Sequence, residues 1–166
     1  MKFSDFVKSE SIRADLGAGD KESVIRELVT CLVDSGQLKS DQQEDIVEAI
    51  LKREKLGSTG IGRGIAVPHT KHASVSQPVG TVGVSTSGID FESLDGEKVQ
   101  LFFMLISPPD RPGDHLKALE NISKQLQDST FCRFLKQSKN AEDIQQVLEE
   151  ADNNQFLSGM IGDQKD

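Results

Sequence analysis

Three histidines, His69, His72 and His115, are the side chains of this sequence that could change protonation near neutral pH. His69 follows Pro68, whose fixed φ and missing N–H end an apolar strand pattern, so we expect its ring at a stiff, partly exposed corner. A neutral imidazole, with an ordinary pKa of about 6.5, can attack phosphorus or bind a metal. Taken alone, however, the residue favours a solvated surface histidine.

His115 comes after the proline-rich segment SPPDRPGD, in the first turn of a predicted helix with Asp114 as its N-cap. The backbone N–H groups and the dipole of such a turn disfavour an imidazolium and favour an anion. A neutral His115 could therefore donate a hydrogen bond to a phosphoryl oxygen. The alternative is a surface residue beside the cap. His72, in the polar segment TKHAS, is interpreted as solvated.

Metal and thiol chemistry have weaker support. Zinc needs about four converging ligands, and the spacing of His69 and His72 supplies two. A zinc hydrolase that also uses His115 stays the last alternative, because no carboxylate ligand can be identified. Cys31 and Cys132 lie within apolar helical patterns, which indicates buried free thiols rather than a nucleophile. The sequence therefore predicts neither a metal nor a cofactor.

The glycine-rich segment GSTGIGRG at residues 57–64 could offer backbone N–H groups and the hydroxyls of Ser58 and Thr59 to an anion. It lacks the Gly-Lys-Ser/Thr ending of a Walker motif and the preceding strand of a Rossmann fingerprint, so nucleotide binding is disfavoured. Arg53 could bind phosphate oxygens through its planar fork, or oppose the dipole at its helix end. Arg63 lies about 20 Å from His69 along an extended chain and cannot be assumed to reach it.

Composition limits the partners. The 166 residues include 19 basic and 27 acidic side chains, a net charge of -8 with a pI near 4.9, so nucleic acid is not an expected partner. No apolar run approaches the roughly 20 residues that cross a bilayer, and the N-terminus has charges where a signal peptide is apolar. We expect no direct membrane insertion and a cytoplasmic protein.

The apolar spacing predicts helices on both sides of a group of strands. The predicted helices run from the N-cap Asp20 to Gly36, from a capping box at Ser40 and Gln43 to Gly57, over the segment after the proline-rich loop, and over Thr130–Gln137 and Ala141–Glu150. The main predicted strands are Val79–Val84 and the central Val99–Ile106, joined through an Asp95-Gly96 turn. Before the first long helix, the sequence predicts a short helix at Phe3–Val7 and a strand at Ile12–Leu16. This order predicts an α/β fold, a three-layer α/β/α sandwich around a small mixed sheet. We expect one domain over residues 1–152 and a flexible tail over 153–166.

The segment ILKREKLGSTGIGRGIAVPHT, residues 50–70, resembles the active-site segment of the fructose/mannitol-type enzyme IIA domains of the bacterial phosphoenolpyruvate-dependent sugar phosphotransferase system. HLKALENIS, residues 115–123, resembles that family's second histidine at a helix start. The resemblance implies that His69 accepts a phosphoryl group from an HPr-type phosphocarrier. It implies further that His115 and Arg53 steady that group and that Ser58 and Thr59 belong to the same pocket. Thr70 stands where the family commonly has glycine.

The resemblance leaves the subtype open between related roles. A unit of this length resembles the nitrogen-type regulatory IIA proteins, whose phosphorylation state is read by partner proteins. The first alternative is a sugar-specific IIA subunit that passes phosphate to a IIB partner. The second is a binding-only regulator with the same fold that no longer accepts phosphate.

Overall fold

In a computed structural model, which describes residues 1–156, a small mixed sheet lies between two layers of helices. The α-helices are α1 (Lys21–Asp34), α2 (Gln43–Lys55), α3 (Pro112–Leu126), α4 (Ser129–Gln137) and α5 (Ala141–Asp152). The strands are β1 (Gly60–Gly62), β2 (Ile65–Ala66), β3 (His69–Lys71), β4 (Val79–Ile89) and β5 (Val99–Ser107). The predicted mixed α/β sheet is confirmed.

The strand β5 is central, as its uniformly apolar sequence predicts. It pairs antiparallel with β4 on one side and in parallel with both β2 and β3 on the other. Pro68 lies between β2 and β3 and has no N–H for the ladder, although its carbonyl accepts a hydrogen bond from Leu105 at 3.0 Å. Pro68 therefore interrupts the pairing, and His69 begins β3 instead of ending a strand as predicted.

The side chains of β5 alternate between two apolar cores, which explains why both of its faces are apolar. Leu101, Phe103 and Leu105 pack in one core with residues of α3, α4 and α5, whereas Phe102, Met104 and Ile106 pack in the other with residues of α1 and α2. Helices therefore cover both faces of the sheet, and the predicted three-layer sandwich is confirmed.

The helix starts differ from two of the predictions. Asp20 caps α1 as predicted, by accepting a hydrogen bond from the backbone of Ser23. The prediction that a capping box at Ser40 starts the second helix is wrong, because residues 40–42 form a 3-10 turn before α2. Asp114 is not the N-cap of α3 either, since Arg111 occupies that position and Pro112 follows as the first helical residue, where its fixed φ suits the helix.

The N-terminal residues and residues 153–156 pack against the body. Residues 3–5 and 9–11 form 3-10 turns, and the predicted strand at 12–16 is reduced to an isolated bridge between Arg13 and Gly83. Of the predicted tail, residues 157–166 lie outside the described residues. Residues 153–156 are described, and the Phe156 ring lies 5.5 Å from that of Phe131 in the core.

Both cysteines are buried and neither forms a disulfide, as predicted. Burial raises the pKa of the Cys31 and Cys132 thiols, which keeps them protonated near neutral pH. Neither thiol is therefore suited to act as a nucleophile.

Candidate active site

His69 has one ring nitrogen bonded and the other available. Its Nδ1 lies 2.7 Å from the backbone carbonyl oxygen of Val67. Because a carbonyl can only accept, Nδ1 carries the proton and donates it. The neutral ring has a single N–H, so its Nε2 holds a lone pair. The side chain is half-buried, which makes it more enclosed than the solvated surface histidine that the residue alone favoured.

His115 lies in the first turn of α3 and is only 8% exposed, so the interpretation as a surface residue is wrong. Its Nδ1 lies 2.7 Å from the hydroxyl oxygen of Ser107, the last residue of β5. Burial, followed by the nearby charges of His69 and Lys71, lowers the pKa of His115 to about 4. His115 is therefore neutral at physiological pH and has one N–H to donate.

The parallel pairing of β3 with β5 brings the two histidines together. His69 lies opposite Leu105 in the ladder, and the chain leaves β5 after Ser107 to enter α3 through a short loop. The two imidazole rings are 5.8 Å apart between centroids and are tilted by 49°. A group bound to one ring can therefore reach the other.

Arg53 lies in the last turn of α2, which packs beside β3, and is half-buried. Its Nη1 donates to the carbonyl of Gly57 at 3.0 Å, so the guanidinium opposes the helix dipole, as one of the two sequence interpretations expected. Within residues 1–156 no carboxylate pairs with Arg53 and no hydrogen bond joins it to either histidine. Its remaining N–H groups are available to an anion.

Ser58 and Thr59 use their hydroxyls inside the glycine-rich loop. Ser58 donates to the carbonyl of Phe91 at 2.8 Å and accepts from the backbone of Gly60 at 3.0 Å. Thr59 is buried and donates both its hydroxyl and its backbone N–H to the carboxylate of Glu54. Both residues therefore shape the loop, and their contact with phosphate stays a prediction.

Glu54 is the residue that sequence reasoning missed. It lies in the charged run Lys52–Lys55, which is typical of a solvated helix end, yet it is only 5% exposed. The ammonium group of Lys21 lies 3.1 Å from its carboxylate. The Arg-Glu pair in the active-site segment was the one sequence signal that could have identified it.

The Glu54 carboxylate is connected to His69 through the loop that it holds. Glu54 binds Thr59, whose carbonyl accepts a hydrogen bond from the backbone of Val67 at 3.1 Å. The carbonyl of Val67 in turn accepts from Nδ1 of His69. The conformation of the glycine-rich loop therefore helps to fix the orientation of the His69 ring.

The interpretation of His72 as solvated is wrong. Its side chain is 12% exposed, and its Nε2 pairs with the carboxylate of Asp45 on α2. Its Nδ1 lies 2.7 Å from the hydroxyl oxygen of Ser74. His72 therefore has both ring nitrogens occupied and connects α2 to the segment that follows β3.

Across residues 1–156, no group of three or more His, Cys, Asp or Glu side chains is placed to hold a metal ion. Over the same residues, no helix is long and apolar enough to cross a membrane.

A model of the protein family described as "Phosphoenolpyruvate-dependent sugar phosphotransferase system, EIIA 2" matches residues 5–151, nearly the whole chain. The chain belongs to this family of enzyme IIA domains. The resemblance predicted from residues 50–70 and 115–123 is therefore confirmed.

Relatives of this IIA domain include nitrogen regulatory proteins and fructose-specific components. The chain is 35% identical over 148 residues to the "Nitrogen regulatory protein" of Bradyrhizobium diazoefficiens, and the match covers 89% of this chain and 95% of that protein. It is 37% identical over 152 residues to the "PTS system fructose-specific EIIABC component" of Bacillus subtilis, covering 92% of this chain but 24% of that protein. A crystal structure of nitrogen regulatory protein IIA-Ntr from Neisseria meningitidis matches with a TM-score of 0.79 and 29% identity, over 88% of this chain and 98% of that one.

Proposed function

We propose that this IIA domain accepts a phosphoryl group on Nε2 of His69 from a phosphorylated HPr-type protein, and that it acts as a nitrogen-type regulatory IIA protein. The observation that carries the proposal is the hydrogen bond from His69 Nδ1 to the Val67 carbonyl, which leaves the lone pair on Nε2. That nitrogen belongs to a half-buried ring with a second, neutral histidine beside it.

In the proposed transfer, the Nε2 lone pair of His69 forms a bond to phosphorus as the N–P bond of the donor phosphohistidine breaks. The electron pair of that bond returns to the donor ring, so no oxidant, metal or other co-reactant is required. Catalysis then consists of positioning and of stabilising charge on the phosphoryl oxygens.

The neighbours of His69 suit this task. His115 is neutral, so it adds a hydrogen-bond donor beside the nucleophile without placing a cation against it. Arg53 adds a permanent positive charge in a planar fork that matches phosphate oxygens. Ser58 and Thr59 take part by holding the loop that orients His69, since their hydroxyls already have partners.

The regulatory branch is favoured by the likeness to nitrogen regulatory proteins in both sequence and structure. The chain is 35% identical to the nitrogen regulatory protein of Bradyrhizobium diazoefficiens, and the structure of nitrogen regulatory protein IIA-Ntr matches it with a TM-score of 0.79. The second candidate, delivery of phosphate to a IIB partner, is favoured by the 37% identity to the fructose-specific component. A phosphorylated domain that transfers its label to a IIB protein would select the second candidate.

The donor protein must dock on an acidic domain. With a net charge of -8, the chain favours a partner that presents positive charge around its active histidine. The donor must approach His69 closely, because its phosphoryl group passes directly between two histidine rings.

The proposal is tested by intact-protein mass spectrometry at mildly alkaline pH after incubation with phosphoenolpyruvate, enzyme I and an HPr-type carrier. The wild type should gain one acid-labile phosphate and His69→Ala none, whereas His72→Ala, the matched histidine control outside the pair, should gain one. Full labelling of His69→Ala would refute the assignment. If no form is labelled by an active carrier, the binding-only regulator becomes the better account.

A further inference from the structure

The hydroxyl of Ser107 is the neighbour that decides which nitrogen of His115 carries the proton. Ser107 is fully buried at the end of β5, and its Oγ lies 2.7 Å from Nδ1 of His115. We propose that Ser107 is a positioning residue: it donates its hydroxyl proton to Nδ1 of His115 and thereby holds the ring proton of His115 on Nε2, where it can be donated to a phosphoryl oxygen. The consequence for transfer depends on the proposed function, whereas the hydrogen bond itself does not.

The direction of this hydrogen bond follows from the burial of Ser107. Within residues 1–156, the Oγ atom of Ser107 has a single hydrogen-bonding partner, Nδ1 of His115. If Nδ1 were the donor, the hydroxyl hydrogen would be buried with no acceptor, which is costly. If the hydroxyl is the donor, its hydrogen is satisfied and only oxygen lone pairs stay unused.

The two arrangements have opposite consequences for an anion. A neutral imidazole has one N–H, so an Nδ1 that accepts from Ser107 leaves the proton on Nε2. The other arrangement would turn a lone pair of Nε2 toward the phosphoryl oxygens and would repel them. The direction of the hydrogen bond between Ser107 and His115 therefore decides whether His115 stabilises or repels the transferring phosphoryl group.

The backbone around Ser107 is fixed independently of its hydroxyl. Its carbonyl accepts a hydrogen bond from the backbone of His72 at 2.8 Å, and it pairs with Lys71 in the ladder between β3 and β5. The same pairing positions His69 two residues earlier on β3. Ser107 is therefore held by the strand that also holds the nucleophile, and its hydroxyl is kept in place for His115.

The hydrogen bond is tested first without phosphate, by two-bond proton–nitrogen NMR of the uniformly nitrogen-15-labelled protein at pH 7. His115 should show a protonated Nε2 and an unprotonated Nδ1. His69 provides the internal reference, because its bond to the Val67 carbonyl predicts the opposite pattern. A protonated Nδ1 on His115 in the wild type would overturn the proposal.

Three variants then test the role of the hydroxyl. In Ser107→Ala the population of the Nδ1–H form of His115 should rise, and the rate of phosphoryl transfer should fall by up to about 100-fold because the Nε2–H donor is lost from part of the molecules. Ser107→Thr, which keeps the hydroxyl, should restore both. Ser85→Ala is the matched control, because Ser85 is a buried strand serine on β4 whose hydroxyl has no hydrogen-bond partner among residues 1–156. This variant should leave the tautomer and the rate unchanged.

The outcomes separate the two proposals. An unchanged tautomer and rate in a folded Ser107→Ala variant would overturn the role of Ser107, and the wild-type spectrum decides the direction of the bond even if that variant fails to fold. A wild type that shows the predicted tautomers but accepts no phosphate would contradict the proposed function and leave the hydrogen bond standing.

Discussion

His69 and His115 lie with their rings 5.8 Å apart, and each has its Nδ1 bonded to a neighbour in the fold. Each ring therefore has its Nε2 left for chemistry. The fold supplies two different neighbours, a carbonyl for His69 and a hydroxyl for His115. In the proposed function the first histidine is the nucleophile and the second is the donor that stabilises charge.

Replacing His115 should slow phosphoryl transfer without removing the acceptor. We expect His115→Ala to lower the transfer rate about 100-fold, because it removes one donor aimed at developing charge. Rapid-quench measurement of phosphate on the domain gives this rate, and the final amount of phosphate should still reach one per chain. A rate equal to that of the wild type would show that His115 does not touch the transferring group.

Stability should depend on pH through His115. Its pKa is about 4 in the folded protein and about 6.5 when unfolded, so between these values the unfolded chain binds the extra proton. The free energy of unfolding should therefore be unaffected by this group above pH 6.5 and should fall as pH decreases toward 4, by up to about 3 kcal/mol.

Urea unfolding at intervals between pH 7.5 and about 4 measures this dependence. The comparison with His115→Gln isolates its source, since His69 and His72 are present in both proteins. The variant should show a shallower decrease in the free energy of unfolding over the same pH range. Equal slopes for the two proteins would contradict the lowered pKa of His115.

Arg53 should accelerate phosphoryl transfer through the planar geometry of its guanidinium as well as through its charge. Arg53→Gln is expected to slow transfer about 100-fold, and Arg53→Lys to recover only part of the loss, because an ammonium group cannot form the planar fork. Arg133→Gln, an exposed arginine on α4, is the control and should transfer at the wild-type rate. Equal rates for Arg53→Lys and the wild type would mean that charge alone is sufficient.

Glu54 should stabilise the loop beside His69. Glu54→Ala removes one of the two carboxylate partners of the Lys21 ammonium group and the acceptor of two Thr59 donors, and we expect it to lower the free energy of unfolding by about 2 kcal/mol. Glu48→Ala, at an exposed position of the same helix, should change it by less than about 0.5 kcal/mol. Urea unfolding of both variants is the measurement, and equal midpoints would contradict the role of Glu54.

The sequence predicted the layers and the central strand because their signals are local. The run VQLFFMLI is apolar at every position, which is typical of a strand covered on both faces, and β5 is such a strand. The start of α1 was predicted for the same reason, since the Asp20 cap depends on a hydrogen bond three residues away.

The remaining features depend on contacts between segments that are distant in sequence. The burial of Glu54 requires Lys21 from another helix, and the enclosure of His72 requires Asp45 from α2. The closeness of His69 and His115 depends on the pairing of β3 with β5, which no spacing reveals. Pro68 was expected to end a strand, but pairing with β5 stops for only two residues, Val67 and Pro68, and resumes at His69 in the same register.

The most direct test of the proposed function locates the phosphate on the ring. The labelled domain is phosphorylated through an HPr-type carrier and kept at mildly alkaline pH, and proton–nitrogen NMR of its histidines is compared before and after. The hydrogen bond from Nδ1 to Val67 predicts a single phosphorylated nitrogen, Nε2 of His69. Phosphate on Nδ1 of His69, or on His115, would contradict the assignment of nucleophile and donor.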